Sequence, residues 1–168
     1  MSNTNQIVLK KANLEDIEKE INFIKKVPYL ESGFANFFYK ILDRSNEEIL
    51  RYVMNLSYSN ENIPIYTYFL WVNNEIVGMY HLLARLTEDQ KQKDGHISYT
   101  ILKEYRGKGY GTKGLSLMIE EAQNIIPEDE IYMHTTINNP ASLKMMMNNN
   151  AYIIRNDEYG IFTRIKSK

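Results

Sequence analysis

The chain has 168 residues, with 20 Lys or Arg against 21 Asp or Glu, 43% hydrophobic content and no cysteine. That length suits one domain over residues 1–168 that buries roughly 70% of the surface an unfolded chain exposes, so a real core forms without staples. The lack of cysteine excludes disulfides and thiolate metal sites, and a net charge of -1 removes the basic excess behind nonspecific nucleic-acid binding.

The first residues are polar, without the charged and apolar regions of a signal peptide, and no apolar run approaches the roughly 18 residues of a membrane span. No membrane partner and a cytoplasmic location are therefore expected. Residues 6–11 read as a strand, after which Asn13 offers a side-chain cap to a helix carrying Leu14, Ile17, Ile21 and Ile24. Asn46 likewise precedes Glu47 and Glu48 and a face of Ile49, Leu50, Val53 and Met54. Between them, residues 34–42 suit another short helix.

Residues 65–72 and 76–83, dense in aromatic and β-branched side chains and separated at Asn73-Asn74, predict a β-hairpin. The polar residues 87–95 read as an exposed loop with a mobile tip. Residues 96–102 form a strand with Ile97, Tyr99 and Ile101 on one face and His96, Ser98 and Thr100 on the other. A glycine loop over residues 104–111 then opens an amphipathic helix with Leu115, Met118, Ile119, Ala122, Ile125 and Ile126, stopped by Pro127. A buried strand over residues 131–136, a helix over 140–148 and strands near 152–155 and 161–165 complete the order.

Gly107, Gly109 and Gly111 remove every second side chain just before a helix N-terminus. Backbone N–H groups and the positive end of the helix dipole there favour an anion, although a tight turn needing positive φ requires the same glycines. Gly109-Tyr110-Gly111-Thr112-Lys113-Gly114 also matches the dinucleotide pattern G-x-G-x-x-G. It follows a late strand, however, and the next strand ends in Thr135-Thr136 rather than in an acid. A P-loop does not fit in any register.

Arg106-Gly107-Lys108-Gly109-Tyr110-Gly111 resembles the Arg/Gln-x-x-Gly-x-Gly/Ala acetyl-CoA motif of the GNAT N-acetyltransferase superfamily, and Asn139-Pro140-Ala141-Ser142 resembles its Asn-x-x-Ala/Ser. About the second half of the chain follows the family in order and spacing. The resemblance implies an α/β (α+β) fold, with a mixed, mainly antiparallel central sheet flanked by helices and a splayed pair of strands, one carrying a bulge. It further implies acetyl-CoA as cosubstrate, its pyrophosphate on main-chain donors from Arg106 to Gly111 and Thr112 at the helix start. Pantetheine would run beside Thr100 and Ile101, with Asn139 and Ser142 in reach. Asn139 equally suits a helix cap before Pro140.

By the same resemblance the activity is transfer of an acetyl group to a primary amine of a small molecule or peptide, without nucleic acid, and a homodimer is admitted. A backbone N–H near Thr100 or Ile101 would stabilise the carbonyl oxygen. His134, five residues before Asn139, stands where some relatives carry a glutamate base, ahead of His96 and His81; it equally suits packing beside Tyr132. The position at which many members place a tyrosine is Met146, leaving Tyr99, Tyr132 or Tyr152 to protonate the thiolate, or no side chain at all. Glu31, Phe34, Phe37, Phe38 and Tyr39 are candidates to line an amine pocket. A noncatalytic acyl-CoA sensor and an interaction module on the same fold are the alternatives.

Overall fold

The computed structural model describes residues 5–27, 38, 41–58 and 61–167. Strand β1 (Ile7–Lys11) is followed by helices α1 (Ile17–Lys26) and α2 (Asn46–Met54), then by strands β2 (Ser57–Tyr58), β3 (Ile63–Val72) and β4 (Glu75–Leu83). Helix α3 (Glu88–Lys93), strand β5 (Ile97–Ile101), a 3-10 turn (Lys103–Tyr105) and helix α4 (Tyr110–Ile125) form the middle. Strand β6 (Glu130–Thr135), helix α5 (Pro140–Met147) and strands β7 (Tyr152–Asp157) and β8 (Gly160–Lys166) follow.

The strands make two antiparallel sheets, β1-β3-β4-β5 with β2 beside β3, and β6-β8-β7. Alternation along β3 divides the core. Ile63, Ile65, Phe69 and Trp71 pack towards α1 and α2, which supply Ile21, Phe23, Ile24, Ile49, Leu50 and Val53. Tyr68, Leu70 and Val72 pack on the opposite side with Leu115, Met118, Ile119 and Ala122 of α4. Each fully buried large apolar side chain contributes about 1.5–3 kcal/mol, so the two layers together fix the helices on both faces. The expected hairpin is present, turning at Asn73 and Asn74 with φ of 48° and 69°, the left-handed geometry that a two-residue turn demands.

Several local expectations are corrected. Asp16, not Asn13, stands at the N-cap of α1; the Asn13 Oδ1 accepts from the N–H groups of Glu15 and Asp16 in a turn one step earlier, and Leu14 is exposed. Ser45 rather than Asn46 caps α2, in a reciprocal box with Glu48, and Met54 is exposed. Residues 87–95 contain α3, held by a second box in which Thr87 and Gln90 cap each other. That Thr-x-x-Gln spacing is a helix-start signal, and it outweighs the polarity of the segment. The helix expected over residues 34–42 lies largely outside the described residues, as do Glu31, Phe34, Phe37 and Tyr39; Phe38 is buried.

The end of β5 nearest α3 meets β6 at one place. The His96 N–H donates to the Tyr132 carbonyl (2.7 Å), and the Tyr132 N–H donates back to His96 Nδ1 (3.0 Å). Gly95 is required beside this pin, since a Cβ there would stand 2.3 Å from the Tyr132 oxygen. Beyond it the strands part, and no ladder joins them. The bulge that the resemblance implied for β5 is not found: its register with β4 runs without a shift from Leu82–Ile97 to Gly78–Ile101. The shift in this sheet lies between β3 and β4, where Leu70 faces Gly78 and Trp71 faces Ile76.

Glu20 of α1 has no solvent-exposed surface and accepts from the Asn13 N–H at 3.3 Å. Burial lifts its carboxyl to about 8, against the Asn13 hydrogen bond and with the Asp16 charge adding to the rise. An unfolded chain releases that proton near 4.5, so between these values the folded state holds one proton more. Stability then falls as pH rises from about 4.5 to about 8 and levels off above. Glu20→Gln is expected to flatten this decline and to melt above the native protein at about pH 9, as thermal melts of both at about pH 6 and 9 will show.

Candidate active site

Antiparallel pairing decides which backbone groups of the parted strands are free. Residues whose N–H and C=O bond across to the partner strand alternate with residues whose groups point away. The Leu102 N–H donates to Val77 and the Leu83 N–H to the His96 carbonyl. By parity, Thr100 and Ser98 bond to β4 while Tyr99 and Ile101 turn their backbone groups to the gap. On β6 the same count from Ser167, which donates to Asp129, turns Tyr132 and His134 towards β5. The carbonyl-oxygen donor expected near Thr100 or Ile101 is thus excluded at Thr100, whose N–H is taken by the ladder.

A groove of about 710 Å³ opens at the parted end. It is lined by Tyr99, Thr100, Ile101, Arg106, Gly107, Gly109, Gly111 and Thr112 on one side and by Asn139, Ala141, Ser142, Lys144, Met145 and Asn148 on the other. Its charged side chains are Arg106 and Lys144, with no acid among the described residues of the lining. Gly109 caps α4 at φ 81° and Gly107 lies at φ 74°. Nothing lies within 4 Å of where a Cβ would stand at either residue, so the cradle is open where side chains would have filled it. The opening N–H groups of α4 have no partner inside the helix. Arg106 braces the loop by donating from Nε to the Ile101 carbonyl (2.8 Å).

Of the expected ligand-binding residues, Lys108 and Tyr110 do not line the groove. Lys108 Nζ stands 5.4 Å from the centre of the Tyr105 ring, and the Tyr110 hydroxyl accepts from the Asn5 side-chain amide. Asn139 does cap α5, its Oδ1 accepting from the Ser142 N–H (3.1 Å), and it also lines the groove. Tyr105, Ala141, Lys144 and Asn148 were not foreseen there. Helical spacing forward from Asn139 and Ala141 would have found the α5 residues, which recur every three or four positions along one face.

Among the three tyrosines considered for the thiolate, only Tyr99 lines this groove. Its hydroxyl is 2.7 Å from the Ser142 Oγ; burial pushes the phenol up, partly offset by that hydrogen bond. Tyr132 lies under the Arg164 guanidinium at 3.5 Å, and the exposed Tyr152 hydroxyl is bonded to Glu130. Met146 is buried, with its sulfur accepting from the Thr163 hydroxyl (3.4 Å), so it belongs to the core.

His134 stands apart from the groove, on a second pocket of about 240 Å³ that also includes His81, Asp94, His96 and Ser98. Its Nε2 lies 2.9 Å from the Tyr159 carbonyl, which only accepts, so that nitrogen carries the hydrogen and a neutral ring keeps its lone pair on Nδ1. The ring packs on Phe162 at 4.6 Å and over Gly160, where a Cβ would come within 2.4 Å of Nε2. His96 has both nitrogens engaged, Nδ1 by Tyr132 and Nε2 beside Glu128 (3.1 Å); burial pushes it down against that carboxylate. Burial also drives His81 down to about 3, leaving a neutral ring edge-on to Phe38.

The family model of the GNAT acetyltransferases matches residues 26–148, and the chain belongs to that family. Among solved structures it is similar to a GNAT-family acetyltransferase from Streptococcus pneumoniae, at 19% identity and TM-score 0.62, over 95% of this chain and 96% of that one. The RimL ribosomal L7/L12 α-N-protein acetyltransferase in complex with coenzyme A matches at 14% identity and TM-score 0.66, over 96% and 93%. The yncA protein of Salmonella typhimurium with its cofactor acetyl-CoA matches at 16% identity and TM-score 0.64, over 96% and 94%. At these identities the likeness is one of fold. No curated protein is similar enough in sequence to count as a match.

Gly114 bears on the same loop, because α4 rests on Tyr80, whose hydroxyl donates to the Gly111 carbonyl (3.0 Å). A Cβ at position 114 would stand 2.3 Å from that oxygen and 2.8 Å from Leu70. Gly114→Val is therefore expected to cost about 1–3 kcal/mol by overpacking, read as a loss of denaturation midpoint.

Proposed function

We propose that the chain is an acetyl-CoA-dependent N-acetyltransferase, one domain over residues 1–168, that acetylates a primary amine. The observation that carries this reading is the cationic groove joining the glycine cradle to the inward backbone groups of Tyr99 and the inward N–H of Ile101. The residues present fit coenzyme A. Open space at Gly107 and Gly109 and the first N–H groups of α4 suit a pyrophosphate, with Arg106 and Lys144 adding charge. The inward groups of Tyr99 and the inward N–H of Ile101 suit the amides of a pantetheine arm, as does the side-chain nitrogen of Asn139, which makes no hydrogen bond among the described residues.

When bound, acetyl-CoA supplies a thioester whose carbonyl carbon takes the amine nitrogen as the C–S bond breaks and its electron pair leaves on sulfur. Tyr99 lies on β5 beyond Ile101 from the phosphate cradle. Its N–H is the candidate donor to the carbonyl oxygen as negative charge builds there. His134 Nδ1, the ring nitrogen left free by the contact of Nε2 with the Tyr159 carbonyl, is the candidate to accept the proton that the amine gives up, directly or through water. The Tyr99 phenol, kept protonated by burial, is the candidate to return a proton to the thiolate, with Ser142 holding its hydroxyl.

A noncatalytic acyl-CoA sensor is the second reading, favoured by the burial of Met146 at the position where relatives place a tyrosine. Release of free thiol on offering amines separates the two.

Acetyl-CoA at about 100 times its Kd is expected to stabilise the protein by about 2.7 kcal/mol, raising Tm by about 5 to 10 °C. In Gly109→Val, a branched side chain at φ 81° enters the cradle, and the shift is expected to vanish while the variant still melts cooperatively. An unchanged affinity would reduce the loop to a turn. His134→Ala is expected to lower kcat by about 10² with acetyl-CoA affinity preserved. Native turnover by the variant across about pH 6 to 9 would remove His134 from the chemistry and leave proximity and the backbone donor.

A further inference from the structure

We infer that the second pocket is the acceptor site and that it selects short aliphatic diamines, one nitrogen reacting while the other, charged, rests at Asp94. The inference rests on the acetyltransferase reading above.

The two cavities meet on β5. Ser98 lines the pocket and its neighbour Tyr99 lines the groove, while His134 lines the pocket and turns its backbone to the same gap. Above the His96–Tyr132 pin no ladder closes that gap, so a nucleophile in the pocket has a path to a thioester beside Tyr99.

The charges of the two cavities are opposite. The groove carries Arg106 and Lys144, whereas the pocket's described lining holds Asp94 as its one Asp, Glu, Lys or Arg. The exposed Asp94 carboxylate accepts no hydrogen bond from the described residues, and the buried neutral His81 adds no charge to oppose a cation. With Lys93 near Asp94 but paired to Asp89 (2.6 Å), the charge of the described lining favours a positive group over a carboxylate.

That positive group is not the nitrogen that reacts. Attack on a carbonyl needs a free lone pair, and a carboxylate beside the reacting nitrogen would hold its proton in place. Asp94 is suited to a second nitrogen of the same molecule. A pocket of about 240 Å³ has room for a short chain. Ile65 and Leu83 provide apolar surface for the methylenes between the two nitrogens, and Tyr58 adds an aromatic ring to the lining.

Thiol-release kinetics with saturating acetyl-CoA and three matched acceptors, putrescine, n-butylamine and γ-aminobutyrate, test the inference. The expected order of kcat/KM is putrescine, then n-butylamine, then γ-aminobutyrate. Asp94→Asn is expected to raise KM for putrescine by about fivefold, as for an exposed ion pair, with n-butylamine and the acetyl-CoA melting shift unaffected. Putrescine no better than n-butylamine, a preference that survives Asp94→Asn, or no turnover of any of the three despite a normal melting shift, would each overturn the inference and leave the acetyltransferase reading standing. Absence of the melting shift itself would instead remove the reading on which the inference rests.

Discussion

Everything proposed for this chain depends on β5 and β6 being tied at one point and nowhere else. His96 makes the tie with its backbone and its ring at once, and Glu128 holds the far side of the imidazole. A full ladder between the strands would consume the inward N–H and C=O groups of Tyr99, Ile101 and His134. With no tie at all, the two sheets would lack a common frame at this edge. One pin gives a rigid base and an open end, and buried backbone groups left unpaired there are costly unless a ligand or water meets them.

The division of charge follows position along β5. His96, Ile97 and Ser98 line the pocket while Tyr99, Thr100 and Ile101 line the groove, so consecutive stretches of one strand serve two cavities with different chemistry. On one side the loop before α4 brings glycines and Arg106 and α5 brings Lys144; on the other, the end of α3 and β6 bring Asp94 and His134. An anionic donor and a cationic acceptor would be kept apart until they meet at the strand edge. Most of the pocket lies at the pin, where both ring nitrogens of His96 are engaged.

Close approach explains three of the glycines without appeal to flexibility. Gly95 admits the Tyr132 carbonyl, Gly114 admits the Tyr80 hydroxyl, and Gly160 admits the His134 ring. Gly107 and Gly109 are different, since no protein atom occupies the space they leave. Both classes look alike as letters in a sequence. The distinction between a glycine that fits a neighbour and one that vacates a site exists only once the chain is folded.

Periodicity and turn chemistry determined much of this protein by themselves: the hairpin at Asn73-Asn74, the amphipathic helices, and a glycine loop between a strand and a helix N-terminus are local patterns with local causes. Helix α3 was legible too, through Thr87 and Gln90, but polarity drew the segment towards a loop. The glycine loop could be read because its residues are contiguous. The rest could not, because it depends on register and on distant packing. Which of Thr100 and Tyr99 has a free N–H is set by the pairing of β5 with β4, and Tyr99 joins Ser142 only when α5 docks beside the strand. Asp94 and His134 share a pocket because two sheets meet at a single hydrogen-bonded residue, and no spacing along the chain records that meeting.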